Sequence, residues 1–427
     1  MQHKILKSEF SKNSLILIMG TVLAQLFPMA ASLIISRIYT PDNIALWGLY
    51  ISIVTILLSI SSGTFDLSIM LPKSDEDAIN LVSLSALLSF FFSLAVLLIV
   101  IIFNQQITTF FKNASISNWL YWVPFSVLIL SVLNITTAWY NRKSQYTLIA
   151  TNKVVKNWSM TAFQLSFGYS RFNYMGLIAG QIIGDFSASF FFLTKFIQKK
   201  QHSFLRLNFS LKSLKVLVKE YKKFPLYTLP TVLMNNLSSQ ILTIIVAIWF
   251  NLSLTGAYYF ALRLLSAPMA LIGSSVSQTY YQKLTAIVND PGANPKPFIV
   301  KVWLILFAIA VLPLSVLFVF GEDLFVFVFG SEWKEAGRIA SIMSPMILFT
   351  FISSPTSSGF VVFRKQNYNL IFGIFEFLFR PCSFYLGYYF KDFFLGLKVL
   401  VAIEILNVIA YNVLMWRSVP KIKQINN

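Results

Sequence analysis

Twelve stretches of this chain stay predominantly apolar for close to the roughly 20 residues that a helix needs to cross a bilayer. They cover 15–35, 44–62, 79–103, 119–139, 154–167 and 175–196, then, after a polar interval, 225–250, 254–280, 298–320, 339–362, 368–390 and 399–415. Only 12% of the 427 residues are charged, where a soluble domain carries about 25%. A soluble, peripheral or single-span protein is therefore excluded. The first stretch follows Lys4, Lys7 and Lys12 as a secretory signal would, yet it is too long and too many spans follow it, so it reads as the first membrane helix. The net charge of +18 would point to nucleic acid only if the basic residues clustered on a polar domain, and none is present. With Cys382 the single cysteine and His3 and His202 the only histidines, neither an intramolecular disulfide nor a Cys- or His-rich metal centre is expected. No Gly-Lys dipeptide occurs, which removes a P-loop. The spans hold no His-containing triad. Catalytic, metal and cofactor residues are accordingly expected to be absent, and the chain reads as a transporter rather than an enzyme.

The fifth stretch is diluted by Asn157, Ser159, Thr161, Gln164 and Ser166, and charge placement decides whether it spans. With twelve spans and the start inside, 25 of the 34 Lys and Arg lie on the inner side and seven outside, leaving Arg263 and Arg380 within spans. Removing the fifth span would turn the nine cations from Lys195 to Lys223 outward, against the positive-inside rule. In the interval 197–224, Leu211, Leu214, Leu217, Val218 and Tyr221 fall at helical spacing, with Lys212, Lys215, Lys219, Lys222 and Lys223 on the other faces. That pattern predicts a basic amphipathic helix, lying on the anionic inner leaflet or gathering an anionic lipid headgroup. The expected organisation is all-α, with a six-helix lobe at 1–196, a cytoplasmic linker helix at 197–224 and a second six-helix lobe at 225–427. Six spans in each half give both the same orientation and hence a parallel repeat, of which Gly48-Leu49-Tyr50 and Gly256-Ala257-Tyr258 are a faint trace.

Charges inside spans are costly and mark either pairing or function. Asp185 follows Gln181 by one turn, on a helix whose Gly176, Gly180 and Gly184 predict close approach of a neighbour. It is either hydrogen-bonded structure or an ion or proton site. Glu376 and Arg380 are four apart and share a face, and Pro381 predicts a kink there. Glu404 has no partner on its own helix and suits interhelical pairing or proton carriage. Arg263 follows Tyr258, Tyr259 and Phe260 and precedes Pro268, which places a cation beside aromatic surface suited to a phosphate and a sugar. Asn236, Gln240 and Thr243 make one polar face, either a seam between helices or the wall of a hydrophilic cavity.

Several co-linear blocks carry a resemblance: SRIYTP at 36–41, IMLPKSDEDAINL at 69–81, WYNRK at 139–143, GLIAGQIIG at 176–184, FPLYTLPTVLMNNLSSQ from Phe224, GAYYFALRLLSAPMALIGSSVSQ from Gly256 and FGSEWKEAGRIASIMSPMILFTFISSP from Phe329. In these the chain resembles the Wzx-type O-antigen flippases, polysaccharide biosynthesis proteins of the superfamily that also holds MATE multidrug exporters and the peptidoglycan-precursor flippase. It departs from them at Thr64-Phe65-Asp66, where an Arg and a Glu often stand. The resemblance implies two six-helix lobes around a central cavity in the bacterial inner membrane, with both termini cytoplasmic. Its cargo would be an undecaprenyl-diphosphate-linked oligosaccharide for O-antigen or capsular polysaccharide, moved to the outer leaflet by alternating access. For the anionic and sugar parts of that cargo the candidate contacts are Arg263, Arg37, Arg142, Lys153, Lys156, Arg380, Asn236 and Gln240, and for a coupling ion, H+ or Na+, Asp185, Glu404 and Glu376. Expected partners are the lipid-linked oligosaccharide, membrane lipids and other polysaccharide-assembly proteins, with no nucleic acid. The alternatives are an ion-coupled exporter of small cationic compounds, which would want an acidic cavity, and a glycan polymerase or ligase, which would want a large outer loop.

Overall fold

A computed structural model describes residues 2–198, 211–290, 292–365 and 367–419, and these fold into helices joined by short turns. In order they are α1 (Gln2–Ile38), α2 (Pro41–Ser61), α3 (Asp75–Phe110), α4 (Ser115–Leu120), α5 (Val123–Arg142), α6 (Tyr146–Tyr169), α7 (Asn173–Gln198), α8 (Leu211–Glu220), α9 (Leu229–Trp249), α10 (Leu252–Val288), α11 (Pro295–Phe329), α12 (Lys334–Ser353), α13 (Gly359–Val362), α14 (Asn367–Tyr389) and α15 (Phe393–Arg417). Ten of the helical segments are long and apolar enough to span a bilayer, so this is a multi-pass membrane protein. The expected fifth and eighth spans, α6 and α10, are continuous helices of 24 and 37 residues but too polar to stand among those ten. α3 runs to 36 residues, about 54 Å at 1.5 Å per residue, well past the apolar stretch that announced it.

Local sequence sets the helix starts. Thr40 caps α2, accepting from the Asn43 N–H at 3.4 Å, and Pro41 follows where its missing N–H costs nothing. Ser74 caps α3 by accepting from the Asp77 N–H (3.1 Å) while donating its hydroxyl to Asp77 Oδ2 (2.6 Å). α14 continues through Pro381 without a break in the helix, whereas α11 carries a non-helical residue, Phe320, in its interior.

The chain divides into two compact units, Met1–Ile248 and Trp249–Asn427. The division falls at the last residue of α9, later in the chain than the boundary expected at 225. In the first unit α6 packs against both α1 and α7. Its polar residues are what fasten it. Asn152 donates to Ala188 O (2.9 Å), Asn157 to Ala24 O (3.2 Å), Trp158 to Leu23 O (3.1 Å) and Gln164 to Leu177 O (3.1 Å), while Gln164 O accepts from Tyr39 (2.7 Å). A helix whose amides bond its neighbours' backbones needs less apolar surface to stay in the membrane. α8 docks Leu217, 4% exposed, into a core with Ile79 and Val82 of α3, and leaves Lys215, Lys219, Lys222 and Lys223 exposed. Lys199, Lys200 and Arg206 of the expected linker lie outside the described residues.

Candidate functional site

The glycine row of α7 faces α6 along the pair's length. A Cβ on Gly176 would meet Phe167, one on Gly180 would meet Gln164, and one on Gly184 would lie 2.8 Å from the Lys156 carbonyl. That close approach brings Lys156 to Asp185: Nζ and Oδ1 are 2.6 Å apart, and Gln181 donates to Oδ2 at 2.9 Å. Asp185 is 1% exposed and lies at the middle of α7, so its charge is compensated by one ammonium and one amide. Lys156 was expected at the inner mouth; with α6 starting at Tyr146 it stands about three turns into the helix. Lys153, an exposed residue one turn earlier, donates to Thr21 Oγ1 at 3.0 Å.

The second unit repeats this arrangement on its own last two helices. Arg380 of α14 bonds Glu404 of α15 through Nε at 2.5 Å and Glu376 of its own helix through Nη2 at 2.8 Å. Asn407 adds a hydrogen bond to Glu376 at 3.3 Å. In the first unit a cation on α6 meets a mid-helix acid on α7, and in the second a cation on α14 meets a mid-helix acid on α15, a clearer trace of a repeat than any sequence block. Glu376 and Glu404 are thus both engaged by Arg380. Arg263 on α10 shares a side-chain hydrogen bond with Tyr259, one turn before it.

Arg142 does something the sequence did not announce. It donates to Pro72 O (2.7 Å), Ser74 O (3.2 Å) and Asp75 Oδ1 (3.2 Å), clasping the turn between the 3-10 segment Phe65–Met70 and α3. Lys143 pairs with the same Asp75 and lies 5.0 Å from the Trp139 ring centroid. Asp75 is exposed in the first turn of α3, ahead of the apolar stretch, and its hydrogen bond from Lys143, with Arg142 beside it, holds the carboxyl below the ordinary carboxylate range. Arg142, Lys156 and Arg380 are therefore committed to protein groups, and Arg37 lies in the last turn of α1.

A cavity of about 250 Å³ opens in the first unit between α2, α5 and α9. Ser59, Ser62, Thr64, Asp66, Asn134 and Asn236 supply its polar lining. Gly63 and Thr64 both have φ of 61°, in the left-handed region, an uncommon place for a β-branched residue. The tight turn they make sets Ser62 against Asp66, its hydroxyl donating to Oδ1 at 2.5 Å. Gln240, one turn after Asn236, accepts from Ser52 at 3.2 Å. So Asn236 faces a hydrophilic cavity, Gln240 makes a polar seam with α2, and Asp66, noticed in the sequence only as a departure from the resemblance, is the cavity's one acid. Neutral oxygens and amides around a single carboxylate match the hydroxyl-rich face of a sugar better than a bare phosphate.

Residues 11–338 match the sequence profile of the polysaccharide biosynthesis protein family. The chain belongs to that family. No curated protein matches it at the sequence level. Among solved structures, this polysaccharide biosynthesis protein shares its fold with the lipid II flippase MurJ in an inward closed conformation, at TM-score 0.74 and 14% identity over 94% of this chain and 88% of that one. An inward-facing multidrug resistance MATE family transporter of the MOP superfamily superimposes at TM-score 0.73 and 14% identity, covering 95% and 96%. A MOP superfamily transporter from Pyrococcus furiosus gives TM-score 0.60 and 13% identity, covering 96% and 95%. The polysaccharide biosynthesis protein thus has the fold of the MOP transporters and flippases, and its Arg380 cluster lies beyond the residues that the family profile matches.

Proposed function

We propose that this protein is a flippase that carries an undecaprenyl-diphosphate-linked oligosaccharide from the cytoplasmic to the outer leaflet of a bacterial inner membrane by alternating access, with both termini cytoplasmic, for O-antigen or capsular polysaccharide. The observation that carries the reading is a polysaccharide biosynthesis chain folded like a lipid II flippase over 94% of its length. Diphosphate and glycan are too polar to cross hydrocarbon, each unpaired polar group costing several kcal/mol, while the prenyl chain can stay in lipid throughout. A hydrophilic path with cations suffices. Arg263 is assigned to the anionic headgroup, its planar fork suiting a phosphate, and Asn236 with the cavity around Asp66 to sugar hydroxyls. A coupling ion, H+ or Na+, would enter where an acid exchanges its protein cation for it: Asp185 releasing Lys156, or Glu404 and Glu376 releasing Arg380. Other polysaccharide-assembly proteins are the expected partners.

The lipid-linked oligosaccharide pool of a deletion strain tests the reading. Accumulation on the inner side, restored by wild-type protein and not by well-expressed Arg263→Ala, is the expected result. An unchanged pool would overturn it in favour of an ion-coupled exporter of small cations, the reading that the MATE likeness supports.

A further inference from the structure

Two cavities of about 660 and 570 Å³ flank α11 in the second unit and meet at Val300, Leu304 and Trp416, which line both. Both are mainly apolar. Ile305 and Ala308 continue the first, and Trp303, Phe307 and Val413 continue the second, where α11 faces α15. Leu304, Ile305, Phe307 and Val413 are exposed, so both troughs open toward lipid. From Val300 to Ala308 the helix rises about 12 Å at 1.5 Å per residue, close to the roughly 15 Å of hydrocarbon in one leaflet.

One end of this pair of troughs is cationic. Lys296 and Lys301 line the first cavity and Arg417 the second, all three at helix ends that the bias of cations places on the inner side. No Asp or Glu lines either cavity, and none of the three cations forms an ion pair among the described residues. Lys296 Nζ lies 5.0 Å from the centroid of the Trp416 ring, and the Trp303 ring lies 6.1 Å beyond. The position of these lysines is unusual for a helix start. The first turn of α11 holds Lys296 and no acid, although the dipole favours anions there. By contrast α3, which also starts on the inner side, opens with Asp75, Glu76 and Asp77. Two lysines and the positive end of α11 therefore act together, and what they attract is an anion.

We propose that this end of α11 is the docking site of a resident anionic diacyl phospholipid of the inner leaflet. Its phosphate lies against Lys296, Lys301 and Arg417, and its acyl chains lie one in each cavity, on either side of the ridge made by Val300 and Leu304. Two troughs that part from one cationic end match two chains that leave one headgroup. Such a lipid is a fixed component of the protein rather than its cargo, so the proposal stands whether or not the chain is a flippase. It would bridge α11 to Trp416 and Arg417 of α15, fastening a helix whose most apolar stretch is only 11% buried by protein.

The test uses the full-length protein in phosphatidylcholine nanodiscs into which phosphatidylglycerol is titrated. Each lipid is used with and without bromine on its chains, because brominated chains quench the tryptophans they touch, and native mass spectrometry counts the bound lipid. Phosphatidylglycerol is expected to fill one site at least about tenfold more tightly than phosphatidylcholine. Its brominated form should add a quenching step that Trp303→Phe with Trp416→Phe removes while binding persists. Lysophosphatidylglycerol, with a single chain, is expected to bind at least about tenfold more weakly. Lys296→Ala, Lys301→Ala and Arg417→Ala together should abolish the preference for the anionic lipid. Lys301→Gln with Arg417→Gln, at two exposed positions, should reduce it several-fold and carries the test should the triple variant fail to fold. Equal binding of the two diacyl lipids is ordinary lipid contact and overturns the proposal. So does a preference that survives the charge substitutions, a quenching step that remains without Trp303 and Trp416, or a single-chain lipid that binds as tightly as the diacyl one.

Discussion

At the residue scale, the blocks that carried the resemblance turn out to be fastenings. Tyr39 of the first block bonds the α6 backbone, Arg142 of WYNRK clasps the turn 72–75, and Phe260 packs against Trp333 with ring centroids 4.1 Å apart and the planes tilted by 38°, joining two blocks of the second unit. Such motifs identify a fold before they identify a cargo. The buried ions follow the same logic and allow a directional prediction. Asp185 is 1% exposed but the Lys156 side chain is 27% exposed, so the lysine can be hydrated when alone and the aspartate cannot. Lys156→Met should therefore destabilise by about 3–5 kcal/mol, the scale for stranding a buried charge, and more than Asp185→Asn. Adding Asp185→Leu to Lys156→Met should recover most of the loss. Thermal melts of the detergent-solubilised variants check the order, and equal melts for the two single variants would show that the pair is not structural. Transport in vesicles then decides coupling: Asp185→Asn that still responds to an imposed ion gradient moves the coupling role to Glu404 or removes it.

At the element scale, α6 is where hydropathy was least informative. Its Asn, Gln and Lys side chains lower its apolar content, yet they are the groups that bond α1 and α7, so the residues that weaken the sequence signal are those that hold the helix in place. The glycine row of α7 was legible for the opposite reason, because a four-residue glycine spacing has few other uses. The structure supplies the partner: a Cβ at Gly184 would stand 2.5 Å from Met160 Cβ and 2.8 Å from a backbone carbonyl, neither of which can swing away. Gly184→Ala should cost about 1–3 kcal/mol by overpacking and lower the yield of folded protein, whereas Phe186→Leu on the exposed face of the same helix should leave both unchanged. Fluorescence-detected size exclusion of tagged protein reads the difference. A normal profile for Gly184→Ala would mean that α6 and α7 separate more easily than their contact implies.

At the scale of the whole molecule, the topology is testable directly: a reporter fused after Lys200 should signal a cytoplasmic location, and one after Lys112 or Lys391 an outer one. An outward signal after Lys200 would remove α6 as a span, although the contacts of Gly176, Gly180 and Gly184 lay it antiparallel along α7. The sequence by itself determined that the chain is a series of long apolar helices and where most of them lie, because the transfer of apolar segments is a local quantity that adds along a chain. It also showed which residues were costly to bury. It could not say how they are compensated, since Lys156 and Asp185, or Arg380 and Glu404 24 positions apart, lie on different helices and meet only once those helices pack. The cavity beside Asp66 belongs to the same class. It gathers residues from three helices, and shape between helices has no signature in any one of them; only the tertiary structure decides it.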